Sequence, residues 1–131
     1  QGVEYLWRWS PSPQTEWWLG QAFTRARWSG GDAGEPPSRA TTVAVFQQLP
    51  DNWQISVLHE RVGSMTLRTK SEWMKATHRT DIRLARTFQW DGYKAEAAFM
   101  VQSVEGDQLF FDPQRNYRRG RQGFLTLQLE M

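Results

Sequence analysis

The sequence predicts an α+β domain in which two or three short helices cover one face of an antiparallel sheet. Three observations point there. Several segments alternate apolar with polar residues, others repeat apolar residues at helical spacing, and Asp91-Gly92 joins two alternating runs in the manner of a tight hairpin. An all-β barrel is the alternative, and it becomes the better answer if the helical stretches are strands.

Taken in order, Val3, Tyr5, Trp7 and Trp9 alternate with Glu4, Leu6 and Arg8, the period of a half-buried strand. Ser10-Pro11-Ser12-Pro13 interrupts it. A helix is expected over 13–28: Ser12 suits its cap with Pro13 at the first position, Glu16 lies in the first turn, and Arg25 and Arg27 lie in the last, matching the dipole at both ends. Trp18, Leu19, Ala22, Phe23 and Ala26 form its stripe, although Trp17, Leu19, Gln21 and Phe23 also alternate as a strand would. Ser29 to Arg39 reads as a loop, because its glycines and Pro36-Pro37 oppose both helix and sheet. A second short helix is expected over 41–49, stopped by Pro50-Asp51-Asn52.

Trp53–Leu58 and Ser64–Thr69 read as strands joined around Gly63, followed by a short helix from Ser71, at its cap, to His78. The 91–92 hairpin unites Ile82–Gln89 with Tyr93–Val104, and places Ile82, Leu84, Phe88, Ala95, Ala97, Phe99 and Val101 on a common core face. A turn at Glu105-Gly106-Asp107 leads to Leu109-Phe110-Phe111. Phe124–Glu130 closes the chain as a strand, with Leu125, Leu127 and Leu129 facing one way. The segment before the 29–39 loop is too short to fold alone, so residues 1–131 are expected to form a single domain.

Hydrophobic residues make up 39% and charged residues 23%, and the longest apolar runs span only a few positions. Neither intrinsic disorder nor a membrane span is expected from such a pattern. Net charge is only +2, which argues against a partner recruited by bulk electrostatics; yet all but three of the 16 basic residues are arginine, the residue suited to planar, bidentate and ring-stacking contacts. The absence of cysteine removes disulfides, thiolate ligands and thiol nucleophiles. A chain opening on Gln1-Gly2 reads as a mature or excised domain, and an extracytoplasmic, periplasmic location is expected.

One stretch carries a family likeness. Residues 41–78, with Phe46-Gln47-Gln48-Leu49-Pro50, Trp53, two strands and a further helix, resemble the helix-strand-strand-helix pattern of inner-membrane assembly proteins of type IV pilus and type II secretion systems. The resemblance implies a non-catalytic part of a bacterial envelope complex.

Chemically, His59 beside Glu60 and His78 three positions before Asp81 are the only imidazoles, and they read as structural residues rather than as metal ligands or an acid–base pair. No phosphate-cradling glycine loop or nucleophile elbow occurs. No catalytic residue, metal or cofactor is expected. The remaining candidates lie on two surfaces. Of eight tryptophans, Trp17, Trp18 and Trp28 are too spread for one helix face to hide all three, and suit a protein partner; Trp7, Trp53 and Trp90 read as core. Arg115, Tyr117, Arg118, Arg119 and Arg121 form an arginine-aromatic loop within 114–124, free of acidic residues. The expected function is thus a non-catalytic protein-interaction or assembly module. The alternative is a domain that binds single-stranded nucleic acid through the 114–124 loop, with carbohydrate binding on exposed tryptophans third.

Overall fold

The computed structural model describes residues 1–25, 36–66, 73–106, 108–110 and 117–130. Its strands in chain order are β1 (Gly2–Ser12), β2 (Thr15–Thr24), β3 (Arg39–Leu49), β4 (Trp53–Val62), β5 (Met65–Thr66), β6 (Trp73–Met74), β7 (Thr77–Trp90), β8 (Tyr93–Gln102), β9 (Gln108–Phe110), β10 (Tyr117–Arg119) and β11 (Gln122–Glu130). Seven of them form one sheet in the order β1-β2-β3-β4-β7-β8-β11, and β5-β6 and β9-β10 form two small hairpins. Every pairing is antiparallel.

The α+β expectation is therefore overturned, and the all-β alternative fits. Among the described residues no α-helix occurs, only a 3-10 turn at Pro50–Asn52. The segment expected as the first helix holds β2, paired on both sides from Thr15 to Phe23. Residues 41–49 are β3, in which Thr41, Thr42, Val43 and Val45 supply the β-branched side chains that favour a pleated surface. Within the expected third helix, Trp73–Met74 is β6 and Thr77 begins β7; Ser71 lies outside the described residues. With these helices the pilus-type pattern of 41–78 disappears.

Turn chemistry was read correctly at the hairpin. Asp91 (φ 50°) and Gly92 (φ 81°) both take positive φ, as a tight two-residue turn with the native strand twist requires. Around β7 the strands are also displaced along their neighbours. Trp53, the first residue of β4, pairs with Arg86, yet β7 runs on to Trp90; at the opposite end Gln102 finishes β8 while β7 reaches back to Thr77. A consistent stagger of this kind tilts the strands and curls the sheet.

Register through the sheet sorts side chains onto two faces. One row reads Trp9, Trp17, Val45, Val57, Ile82, Val101, Gly123, and its neighbours carry Trp7, Leu19, Val43 and Ile55, Leu84, Phe99, Leu125. The other face carries Arg8, Glu16, Thr42, Gln54, Ser56, Asp81, Arg83, Glu96, Thr126 and Gln128, with Leu6, Trp18, Phe46, Leu58 and Met100 among them. A cavity of about 370 Å³ on that second face is lined from six adjacent strands, including Leu6, Trp18, Phe46, Leu58, Arg83 and Met100, so the sheet is concave there.

Among the described residues nothing covers the apolar, convex face. Among the described residues the buried hydrophobic side chains are four alanines, Ala44, Ala85, Ala95 and Ala98. The accessible surface is 10128 Å², against roughly 7,200 Å² for a compact monomer of this mass. Alternation placed Leu84, Ala97, Phe99 and Val101 on one face correctly, but as a packed core it fails: Phe99 is 51% and Leu125 82% exposed. Trp7 and Trp90, expected in the core, are likewise exposed.

Gly92→Val forces a β-branched residue into positive φ, and it should destabilise the sheet by roughly 1–2 kcal/mol in chemical denaturation. Asp91→Gly relieves the same strain and should leave the midpoint unchanged or raise it.

Candidate functional site

The turns and connections give the sheet two unlike ends. At one end β1-β2, β3-β4 and β7-β8 are joined by short turns at Pro13-Gln14, Pro50–Asn52 and Asp91-Gly92. At the other end the chain crosses between β2 and β3, between β4 and β7 and between β8 and β11 by long connections, the last two carrying the small hairpins.

Aromatic side chains on the convex face gather at the short-turn end. Trp9 and Trp17 are cross-strand partners beside the first turn, Trp53 opens β4 after the second, and Trp90 and Tyr93 pair across the third. Trp7 and Trp9 stack with ring centroids 5.9 Å apart, and the Arg86 guanidinium lies over the Trp53 ring at 5.4 Å. Valines, isoleucine and leucines fill the middle of this face on β3, β4, β7 and β11.

Toward the long-connection end the same face stays apolar on β1 and β2, at Val3, Tyr5 and Phe23, and turns polar on β3, β4 and β7. Arg39 and Thr41 on β3, His59 and Arg61 on β4, and His78 and Thr80 on β7 continue the alternation of Val43, Val57 and Ile82. The His59 Nδ1 lies 2.9 Å from the Thr80 hydroxyl. Thr80 in turn donates from its hydroxyl and, at 2.9 Å, from its backbone amide to the Glu105 carboxylate. Burial pushes the Glu105 carboxyl up, but these Thr80 hydrogen bonds and the nearby His78 outweigh it, holding the group below the ordinary carboxylate value.

On the concave face charges are paired. Arg79 binds both oxygens of Asp81, which also accepts the Ser103 amide at 3.1 Å; Arg83 bonds Glu96 across β7-β8, and Lys94 meets Glu130 at 3.3 Å across β8-β11. Nearer β1, Arg8 lies 4.3 Å over the Trp18 ring, whose centroid is 5.1 Å from that of Phe46.

The sequence candidates do not converge. Trp17 and Trp18 are consecutive on β2, so they point to opposite faces: Trp17 is exposed on the convex side, whereas Trp18 donates its indole N–H to Glu16 at 2.7 Å on the concave side. Tyr117, Arg118 and Arg119 form β10, paired with Phe110, Leu109 and Gln108. Arg121 lies at the head of β11 and donates to the Val104 carbonyl at 2.6 Å. Trp28 and Arg115 lie outside the described residues. The two imidazoles approach, at 6.2 Å between centroids, but Asp81 lies on the opposite face; among the described residues no three potential ligands gather around a metal position. The apolar face of β3 escapes the helix expected over 41–49, although Thr41, Val43 and Val45 alternate as a strand does.

Comparison with protein-family models, curated proteins and solved structures found no match to this chain. No helix among the described residues is long and apolar enough to cross a membrane, a statement that leaves strands aside.

Because the folded-state carboxyl of Glu105 titrates below its unfolded value, its stabilising contribution is present above the ordinary carboxylate range and is lost as pH falls through that range. Glu105→Gln should therefore flatten the acid side of the stability–pH profile and leave neutral-pH solubility unchanged, as read from denaturation midpoints at stepped pH.

Proposed function

We propose that this sheet is part of the wall of a transmembrane β-barrel, its convex face against lipid and its concave face toward an aqueous lumen. The observation that carries the reading is the largely apolar face, covered by none of the described elements, that runs through all seven strands, edged by aromatic residues at the short-turn end and, on β3, β4 and β7, by polar residues at the long-connection end. Aromatic girdles at the interface, short turns on one side and long loops on the other are the arrangement that lipid imposes on barrels of the outer-membrane type.

Dimensions agree. Ten residues at about 3.3 Å each reach about 33 Å, and a strand tilted about 40° covers about 25 Å of height, the thickness of the apolar band such barrels present. Lipid also explains why the antiparallel ladder carries so much of the fold, since backbone groups in hydrocarbon must be satisfied within the protein. The concave face is mixed: Leu6, Trp18, Phe46, Leu58 and Met100 line its cavity, while the paired charges of β7, β8 and β11 suit contact with water. Arg86, within the convex face, has its guanidinium over the Trp53 ring near the short-turn interface, the place where a long cationic side chain reaches water.

This chain's role is then that of a non-catalytic envelope component, and its location is an outer-membrane type bilayer. The interaction-module reading uses the same surface: with Trp17 exposed beside Trp9, a protein partner in place of lipid would cover it.

Refolding into lipid vesicles and labelling single cysteines along β11 separates the two. Cysteines at Leu125 and Leu127 should report hydrocarbon and those at Thr126 and Gln128 should report water; equal water exposure on both faces, in a chain that stays soluble, would favour the protein partner. Leu127→Arg should cost about 2–4 kcal/mol in the lipid-embedded protein, and Gln128→Arg, on the lumen side, far less.

A further inference from the structure

We infer that the convex face carries a binding site for the phosphate of an anionic lipid headgroup, at the long-connection end between β3 and β4, with Arg39 and Arg61 as its grips. The inference rests on the barrel-wall reading, which sets the headgroup layer at this height.

A cavity of about 480 Å³ opens there, lined by Ser38, Arg39, Thr41, His59, Arg61 and Ser64 among others. Among the described residues two arginines, a histidine and three hydroxyl side chains line it, and no carboxylate does. Arg61 pairs across the strands with Thr41, and Arg39 lies beside Gly63, whose amide donates to the Arg39 carbonyl at 2.8 Å. A Cβ at Gly63 would meet that carbonyl at 3.0 Å, so the bare glycine lets the β4 end lie close against the Arg39 backbone. Among the described residues neither Arg39 nor Arg61 forms an ion pair. The Arg39 guanidinium sits 5.5 Å over the Phe23 ring, while the Arg61 fork bonds no side chain among the described residues. This contrasts with the concave face, where Arg79 and Arg83 are each committed to a carboxylate.

Glu105 lies 4.0 Å from the His59 Nδ1 and is bonded to Thr80, which puts it on the β7 side of the imidazole. Planar guanidinium forks match phosphate oxygens bidentately, and neighbouring hydroxyls supply the remaining donors. The apolar rows immediately below, with Val43, Val45, Ile55 and Val57, offer acyl chains a surface continuous with the site. Headgroup and tail would thus meet their own chemistry on consecutive rows of the same two strands. A free phosphate would use only the upper part.

The test places the full chain in vesicles of phosphatidylcholine with spin-labelled phosphatidylglycerol or spin-labelled phosphatidylcholine as the reporting lipid. The immobilised fraction should favour phosphatidylglycerol, and each of Arg39→Gln and Arg61→Gln should lower that preference about fivefold, the effect of one cation at a charged surface. Should the double Gln variant fail to fold, Arg39→Lys with Arg61→Lys must retain most of the preference, and its full loss would count against a charge-based site. Inorganic phosphate should displace the labelled lipid only weakly; displacement at comparable concentration would show a free-anion site instead. Displacement by a single-stranded oligonucleotide would hand the arginines to nucleic acid. A chain that embeds, with its Leu125 cysteine in hydrocarbon, yet shows no lipid preference overturns the site alone. A chain that embeds in no vesicle overturns the barrel wall itself.

Discussion

The antiparallel backbone ladder is the interaction on which everything else here depends. A protein of this length ordinarily gains its stability by burying large side chains, but this one, among its described residues, buries four alanines and leaves its leucines, valines and tryptophans half-covered or bare. Six consecutive antiparallel interfaces, each nine or ten pairs long over most of the sheet, satisfy the backbone instead. Small residues at Ala44, Ala85 and Ala98 let the strands bend toward the concave side without crowding. The convex side, spread by the same curvature, takes the bulky rings. The two faces are thus fitted to different surroundings by size as well as by polarity.

Charge follows the same division. On the concave face Arg79 and Arg83 have acidic partners on the same or the adjoining strand, while Arg8 lies over the Trp18 ring. Arg39 and Arg61, at the long-connection edge of the convex face, have no acidic partner among the described residues, and the small overall excess of +2 conceals this local asymmetry. A net charge describes solubility; where the unpaired cations stand is what a ligand meets.

Parts of this were legible in the sequence and parts were not. The Asp91-Gly92 turn is local chemistry, and it could be read from two residues and their flanks. The stretch 13–28 could not, because Ser12, Pro13 and Glu16 imitate a helix start, while Trp18, Leu19, Ala22 and Phe23 fit both a stripe and an alternation. Pairing with β1 and β3 on either side decided for the strand, and that is tertiary information. Alternation also tells which residues share a face without telling what covers it. Ile82, Leu84 and Phe99 were rightly grouped, and then wrongly supplied with a protein core. Trp17 and Trp18 were grouped as a surface although their adjacency separates them once β2 is a strand. The approach of Arg39 to Arg61 depends on the β3-β4 register, which no single segment displays.

The directions of the outermost strands carry a last consequence. β1 and β11 both run from the long-connection end toward the short turns, as seven alternating strands must. In a ring made wholly of antiparallel ladders, two strands of like direction are separated by an odd number of others. Any such ring that incorporates this sheet therefore inserts one, three or a larger odd number of strands between β11 and β1. A second copy standing the same way up meets the first with two like-directed edges and forms only a parallel seam. An inverted copy repairs the seam but carries its long connections to the opposite rim. Parity alone thus makes simple duplication of this unit a poor way to finish the circle, and favours a lone strand or an uneven set whose ends lie on opposite rims.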